Sequence, residues 1–147
     1  MTKKKIAVII PWSINNDSRA KRTIHEMSVY CTINVFYIPI NNYDKVINES
    51  FNKNVFFNPI ELPKENFYYK IIQNSFFQYR YTYFLKHVIS KKICFDVIYI
   101  HDLISGQIGN SLKKKYNCKL IYDVHDLYLE TLNQEFPINH KGKMKFK

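Results

Sequence analysis

The sequence contains no run of about eighteen apolar residues, so no segment is long and apolar enough to cross a bilayer as a helix. It contains no CxxC pair. Cys31, Cys94 and Cys118 stand apart and are odd in number, which supports neither a disulfide framework nor a zinc knuckle; buried free thiols are the expected state. There is no glycine in the segment Pro11 to Arg19, where a first phosphate-binding loop would lie. Both the dinucleotide pattern GxGxxG and the phosphate loop GxxxxGKS/T are therefore missing, which disfavours a dehydrogenase or a nucleotide hydrolase. Acidic residues are missing between Glu65 and Asp96, although Lys70, Arg80, Lys86, Lys91 and Lys92 all fall there. No nucleic-acid-binding motif accompanies the formal charge of +10, so charge is weak support for DNA or RNA as a partner. Internal repeats and low-complexity blocks are also lacking.

What is present suffices for one domain with a hydrophobic core: 147 residues, of which 46% are hydrophobic. Basic residues cluster at Lys3 to Lys5, at Lys113 to Lys115 and among the last residues at Lys141, Lys143, Lys145 and Lys147. Such a surface favours anionic lipid, phosphorylated substrates or nucleic acid. The basic start followed by apolar Ile6 to Ile10 has the outline of a signal peptide, but Pro11 ends the run short of the roughly 7–15 residues an h-region needs. The run reads instead as a first strand, and the expected location is cytoplasmic, with peripheral contact at the inner membrane face as an option.

Strands and helices alternate along the chain. Ile6 to Ile10 is a continuous apolar run, as expected of a parallel strand buried on both faces. Asp17 or Ser18 can cap a helix in which Ala20, Ile24, Met27 and Cys31 recur at helical spacing. Ile33 to Ile38 is a second strand ended by Pro39, and Val55 to Phe57 a short third, with Pro59 and Pro63 marking turns. One long helix or two shorter ones fill Lys64 to Lys92, with one stripe of Ile72, Phe76, Tyr79 and Tyr83 and another of Phe77, Phe84 and Val88. Core packing is the default for these aromatics, and membrane contact the alternative. Asp96 to Ile100 is a strand, Ser105 to Tyr116 a helix with Ile108 and Leu112 inward, and Lys119 to Tyr122 a further strand. Leu127 to Phe136 can be helical, and residues 139–147 are expected to be a loose basic tail after a domain spanning 1–138.

This order predicts an α/β, Rossmann-like fold: an open, mostly parallel sheet with helices on both faces. In the doubly wound arrangement the strand order reverses between the first and fourth strands, and ligands bind there at the strands' carboxyl ends. The loops after Ile10, Ile100 and Tyr122 would then line one crevice holding Asn15, Asn16, Asp17, Arg19, His101, Asp102, Asp123, His125, Asp126 and Glu130. Arg19 at a helix entry could bind phosphate or carboxylate, or be an ordinary solvated residue beside a helix cap. His101 could exchange a proton near neutral pH, or be a structural histidine with its hydrogen bonds satisfied. The histidines and aspartates could also ligate a divalent metal, but their spacing matches no known site and no metal is expected.

Three segments carry a family resemblance: Lys5 to Ile10 with the helix entry Asn16 to Arg19, then Asp96 to Asp102, then Lys119 to Glu130. The chain resembles the amino-terminal domain of glycosyltransferase family four, retaining enzymes of the GT-B fold, whose members often read D-x-I-x-x-H-D and then K-x-I-Y-D-x-H-E. The resemblance covers most of the chain, with residues 40 to 90 contributing little. It implies sugar transfer from a nucleotide-sugar co-substrate, without a cofactor, to a saccharide or lipid-linked acceptor. His101 would lie near the transferred sugar and donor phosphates, stabilising the departing nucleoside diphosphate as a catalytic residue. Asn16, Arg19, Asp102, Asp123, His125, Asp126 and Glu130 would bind donor or acceptor. Asp126 stands where a glutamate is more usual, and the glycine-rich first loop of many relatives is missing. The resemblance places the donor pocket on a carboxyl-terminal domain, so this polypeptide is expected to be incomplete and inactive by itself. Such a domain could act in trans. The alternatives are a non-catalytic binding or partner subunit using the same crevice, and a basic nucleic-acid-associated protein.

Overall fold

In the computed structural model, five strands form one parallel sheet in the order β3-β2-β1-β4-β5. The structure describes residues 3–11, 13–15, 17–39, 51–61, 73–101 and 105–124, with 73–81 as backbone. The strands are β1 (Lys5–Ile10), β2 (Thr32–Tyr37), β3 (Val55–Pro59), β4 (Val97–His101) and β5 (Lys119–Asp123); the helices are α1 (Ser18–Ser28), α2 (Gln73–Ser90) and α3 (Gly106–Tyr116). The fold is α/β and Rossmann-like, as the alternation of elements predicts. Strand β1 pairs with both β2 and β4, so the reversal of strand order falls between β1 and β4.

The continuous apolar strands follow from burial on both sheet faces. Alternate residues of β1 go to opposite sides: Ile6, Val8 and Ile10 pack with Ala20 and Ile24 of α1, while Ala7 and Ile9 pack with Phe84, Val88, Ile108 and Leu112 of α2 and α3. Eleven residues make a marginal helix in water. Helix α1 depends on burying Ala20 and Ile24 against β1 and β2, and on the Asp17 cap. Cys31 packs at the edge of this core beyond the end of α1, not within the helix. The aromatic stripe of α2 is described from Thr82 onward; there Phe84 and Val88 are buried in the core, the default expected of them.

Pro59 departs from the sequence expectation, forming the last residue of β3 and pairing with Tyr37. Because β3 is an edge strand among the described residues, its proline removes no donor that a further described strand would need. The expected helix at Leu127 to Phe136 and the tail at 139–147 lie outside the described residues.

Close approach of α3 to the sheet depends on one glycine. A Cβ at Gly109 would stand 2.7 Å from Ile100 Cγ2 and 3.0 Å from Leu120 Cδ1, both on strands beneath. At Gly106 a Cβ would meet nothing within 4 Å. Overpacking costs about 1–3 kcal/mol, against a helix-propensity gain of about 1 kcal/mol for replacing an interior glycine. Gly109→Ala should therefore lower stability by up to about 2 kcal/mol. Gly106→Ala should leave stability unchanged or raise it, which parallel urea titrations would read.

Candidate functional site

Three elements bring polar side chains to the carboxyl ends of β1, β4 and β5. The chain leaves β1 at Pro11 and turns through a loop in which the Asn15 amide donates to Ser13 Oγ at 3.2 Å and Lys21 Nζ donates to the Asn15 carbonyl at 2.7 Å. The Asp17 amide donates to the Ile14 carbonyl at 3.1 Å, with Ile14 fully buried beneath. Asp17 then caps α1: its Oδ1 accepts from the Ala20 amide at 2.8 Å, satisfying one of the free donors of the first turn.

The other carboxylate oxygen of Asp17 faces the end of β4. His101 Nε2 donates to Asp17 Oδ2 at 2.8 Å, and the imidazole is 3% exposed. His101 Nδ1 lies 3.7 Å from Asp123 Oδ2, across the β4–β5 register in which the two residues pair directly. The imidazole thus lies between two carboxylates that reach it from different connections. Ser105 Oγ donates to the His101 carbonyl at 2.7 Å, tying the strand end to the start of α3.

Tyr99 completes the cluster. Two residues before His101 on the same strand, it projects from the same face and its hydroxyl donates to Asp123 Oδ2. Burial, followed by that hydrogen bond and the charge of Asp123, pushes the phenol well above its usual range, while a hydrogen bond with Thr23 of α1 opposes the shift. Tyr99 is therefore a neutral donor at any physiological pH and fixes the orientation of Asp123.

Of the residues expected to share a crevice, the structure brings three side chains together. His101 and Asp123 come together with Asp17. Arg19 sits exposed on the first turn of α1 and has no polar partner among the described residues. The helix entry carries the Asp17 carboxylate, so its local charge is already compensated. Asn16, Asp102, His125, Asp126 and Glu130 lie outside the described residues. Among the described residues, no group of three or more His, Cys, Asp or Glu side chains is arranged to hold a metal ion.

One member of the cluster, Tyr99, escaped sequence reasoning. Asp17 was legible as a cap and as a crevice residue, but its bond to a residue 84 positions later was not. Tyr99 gave one usable signal, its two-residue offset from His101, which in a strand places both on one face.

No protein-family model matches the sequence, and no curated protein matches it. Among solved structures, the chain is similar to the C-terminal domain of a hydrogenase from Pyrococcus furiosus. One crystal structure of that domain has a TM-score of 0.54 at 10% identity, covering 84% of this chain and 93% of that one. Another has a TM-score of 0.52 at 12% identity, covering 84% and 94%. At such identities the likeness concerns the fold and not the chemistry.

Proposed function

We propose that this domain is the acceptor-side, amino-terminal half of a GT-B sugar-transferring enzyme, working with a carboxyl-terminal donor-binding domain on the same polypeptide or in trans. One observation carries the reading: His101, Asp17 and Asp123 meet at the carboxyl ends of neighbouring strands where the sheet order reverses. That is where open α/β sheets bind ligands. The resemblance of Asp96 to Asp102 and of Lys119 to Glu130 to family-four motifs supplies the reaction class.

In the proposed reaction the bond from the anomeric carbon to the donor phosphate breaks. A bond to the acceptor oxygen forms, and the proton of the acceptor hydroxyl passes to the departing phosphate oxygen. His101 would face the departing phosphate, where a donated hydrogen bond stabilises developing negative charge. Asp17 and Asp123 would hold the imidazole in place. For Nε2 to reach a substrate oxygen, Asp17 Oδ2 must yield it, while Oδ1 keeps its bond to the Ala20 amide.

A second reading, a non-catalytic binding subunit, is favoured by the burial of His101 and by carboxylates facing both of its nitrogens. Calorimetry with nucleoside diphosphates and nucleotide sugars, on this chain and then with a GT-B donor domain added, separates the two. The transferase reading expects turnover only with both domains, and a loss of about 100- to 1000-fold in kcat for His101→Ala. Saccharide binding with no transfer by the folded pair would sink it and leave the binding subunit.

A further inference from the structure

The end of the sheet opposite the site carries a dense set of lysines that the proposed function does not use. Strand β1 enters through Lys3, Lys4 and Lys5, all exposed, and β3 enters just after exposed Lys53. Exposed Lys91 and Lys92 follow the end of α2, and exposed Lys119 opens β5. Helix α3 runs back from the site and ends in Lys113, Lys114 and Lys115. Backbone bonds tie these segments along one edge: the Thr32 amide to the Lys4 carbonyl, the Asp96 amide to the Lys5 carbonyl, and the Lys119 amide to the Asp96 carbonyl.

The acids described at this edge are Asp96, whose carboxylate accepts from the Lys5 amide, and Glu26 in the last turn of α1. A helix carboxyl end favours nearby cations. Three consecutive lysines on α3 point in directions spread over about 200° at the helical period, so the helix end does not account for all of them. The arginines whose side chains are described, Arg19 and Arg22, belong to the first turns of α1 and not to this edge.

We infer that this lysine edge docks the protein on an anionic membrane surface. The composition distinguishes a bilayer from a nucleic acid. Recognition of phosphates and bases on nucleic acid favours arginine forks and stacked aromatics in a groove, whereas lysine acts as a hydrated point charge suited to a diffuse anionic plane. The same edge exposes Tyr30 and Val29 in the turn after α1, with Lys3 Nζ donating to the Val29 carbonyl at 3.3 Å. Tyrosine beside lysines is the composition of a headgroup contact. A five-residue strand separates the two ends of the sheet by about 17 Å, so the docked domain presents the His101 cluster away from the bilayer. This inference is independent of the proposed reaction and holds for a binding subunit equally.

Flotation of the full chain with phosphatidylcholine vesicles, with and without phosphatidylglycerol, tests it. Binding is expected only with the anionic lipid. At about fivefold per lysine, combining Lys113→Ala, Lys114→Ala and Lys115→Ala should weaken it by about 100-fold, while these exposed sites leave the thermal melt unchanged. Tyr30→Ser should weaken it further at constant net charge, and combining Arg19→Ala with Arg22→Ala should weaken it far less. Absence of anionic-vesicle binding, or equal losses from the lysine and arginine variants, would overturn the assignment. Release of the protein from vesicles by duplex DNA at equal phosphate concentration would overturn it in favour of a nucleic acid.

Discussion

His101→Ala is expected to lower the unfolding free energy by about 2–4 kcal/mol, made up of a hydrogen bond to a charged acceptor and the void left by a buried ring. The imidazole is 3% exposed and the Asp17 side chain 17%, so solvent screening reduces the loss only modestly. Removing the ring also leaves Asp17 and Asp123 facing an emptied space with no donor between them. His101→Gln retains an amide donor and should recover part of the loss. Urea denaturation of both variants measures this; a cost below about 1 kcal/mol for alanine would mean that the pair is effectively solvated.

Asp17→Ala should cost a similar amount, about 2–4 kcal/mol, for a different reason. One carboxylate performs two tasks, capping α1 through Oδ1 and binding His101 through Oδ2. Asp17→Ser keeps a capping oxygen but is too short to serve both partners. The difference between the serine and alanine variants should therefore isolate the cap at about 1 kcal/mol. A double-mutant cycle of Asp17→Ser with His101→Ala then isolates the pair, with an expected coupling of about 1–3 kcal/mol. Additive losses would show that helix entry and strand end are energetically independent, removing the support for a preorganised site.

The apolar strands and the helix entry were legible because each obeys a local rule. Ile6 to Ile10 reads as a doubly buried strand without knowledge of its neighbours, and Asp17 reads as a cap from the helical spacing of Ala20 and Ile24. Pro59 misled because a proline signals a turn unless its strand lies at a sheet edge, and edge position is a property of the sheet. The need for glycine at position 109 was invisible for the same reason, since Ile100 and Leu120 reach it from other strands.

The candidate site divides along the same line. Sequence pattern by itself determined that His101 and Asp123 stand directly after apolar strand runs, that Asp17 begins a helix, and that a doubly wound order would bring such ends to one side. Periodicity and capping depend on residues a few positions apart, so these features could be read locally. Only the tertiary structure decided that the imidazole lies between Asp17 and Asp123, that Tyr99 holds Asp123, and that the lysines gather on the opposite edge. Those contacts depend on sheet order and register, which bring together residues far apart in the chain.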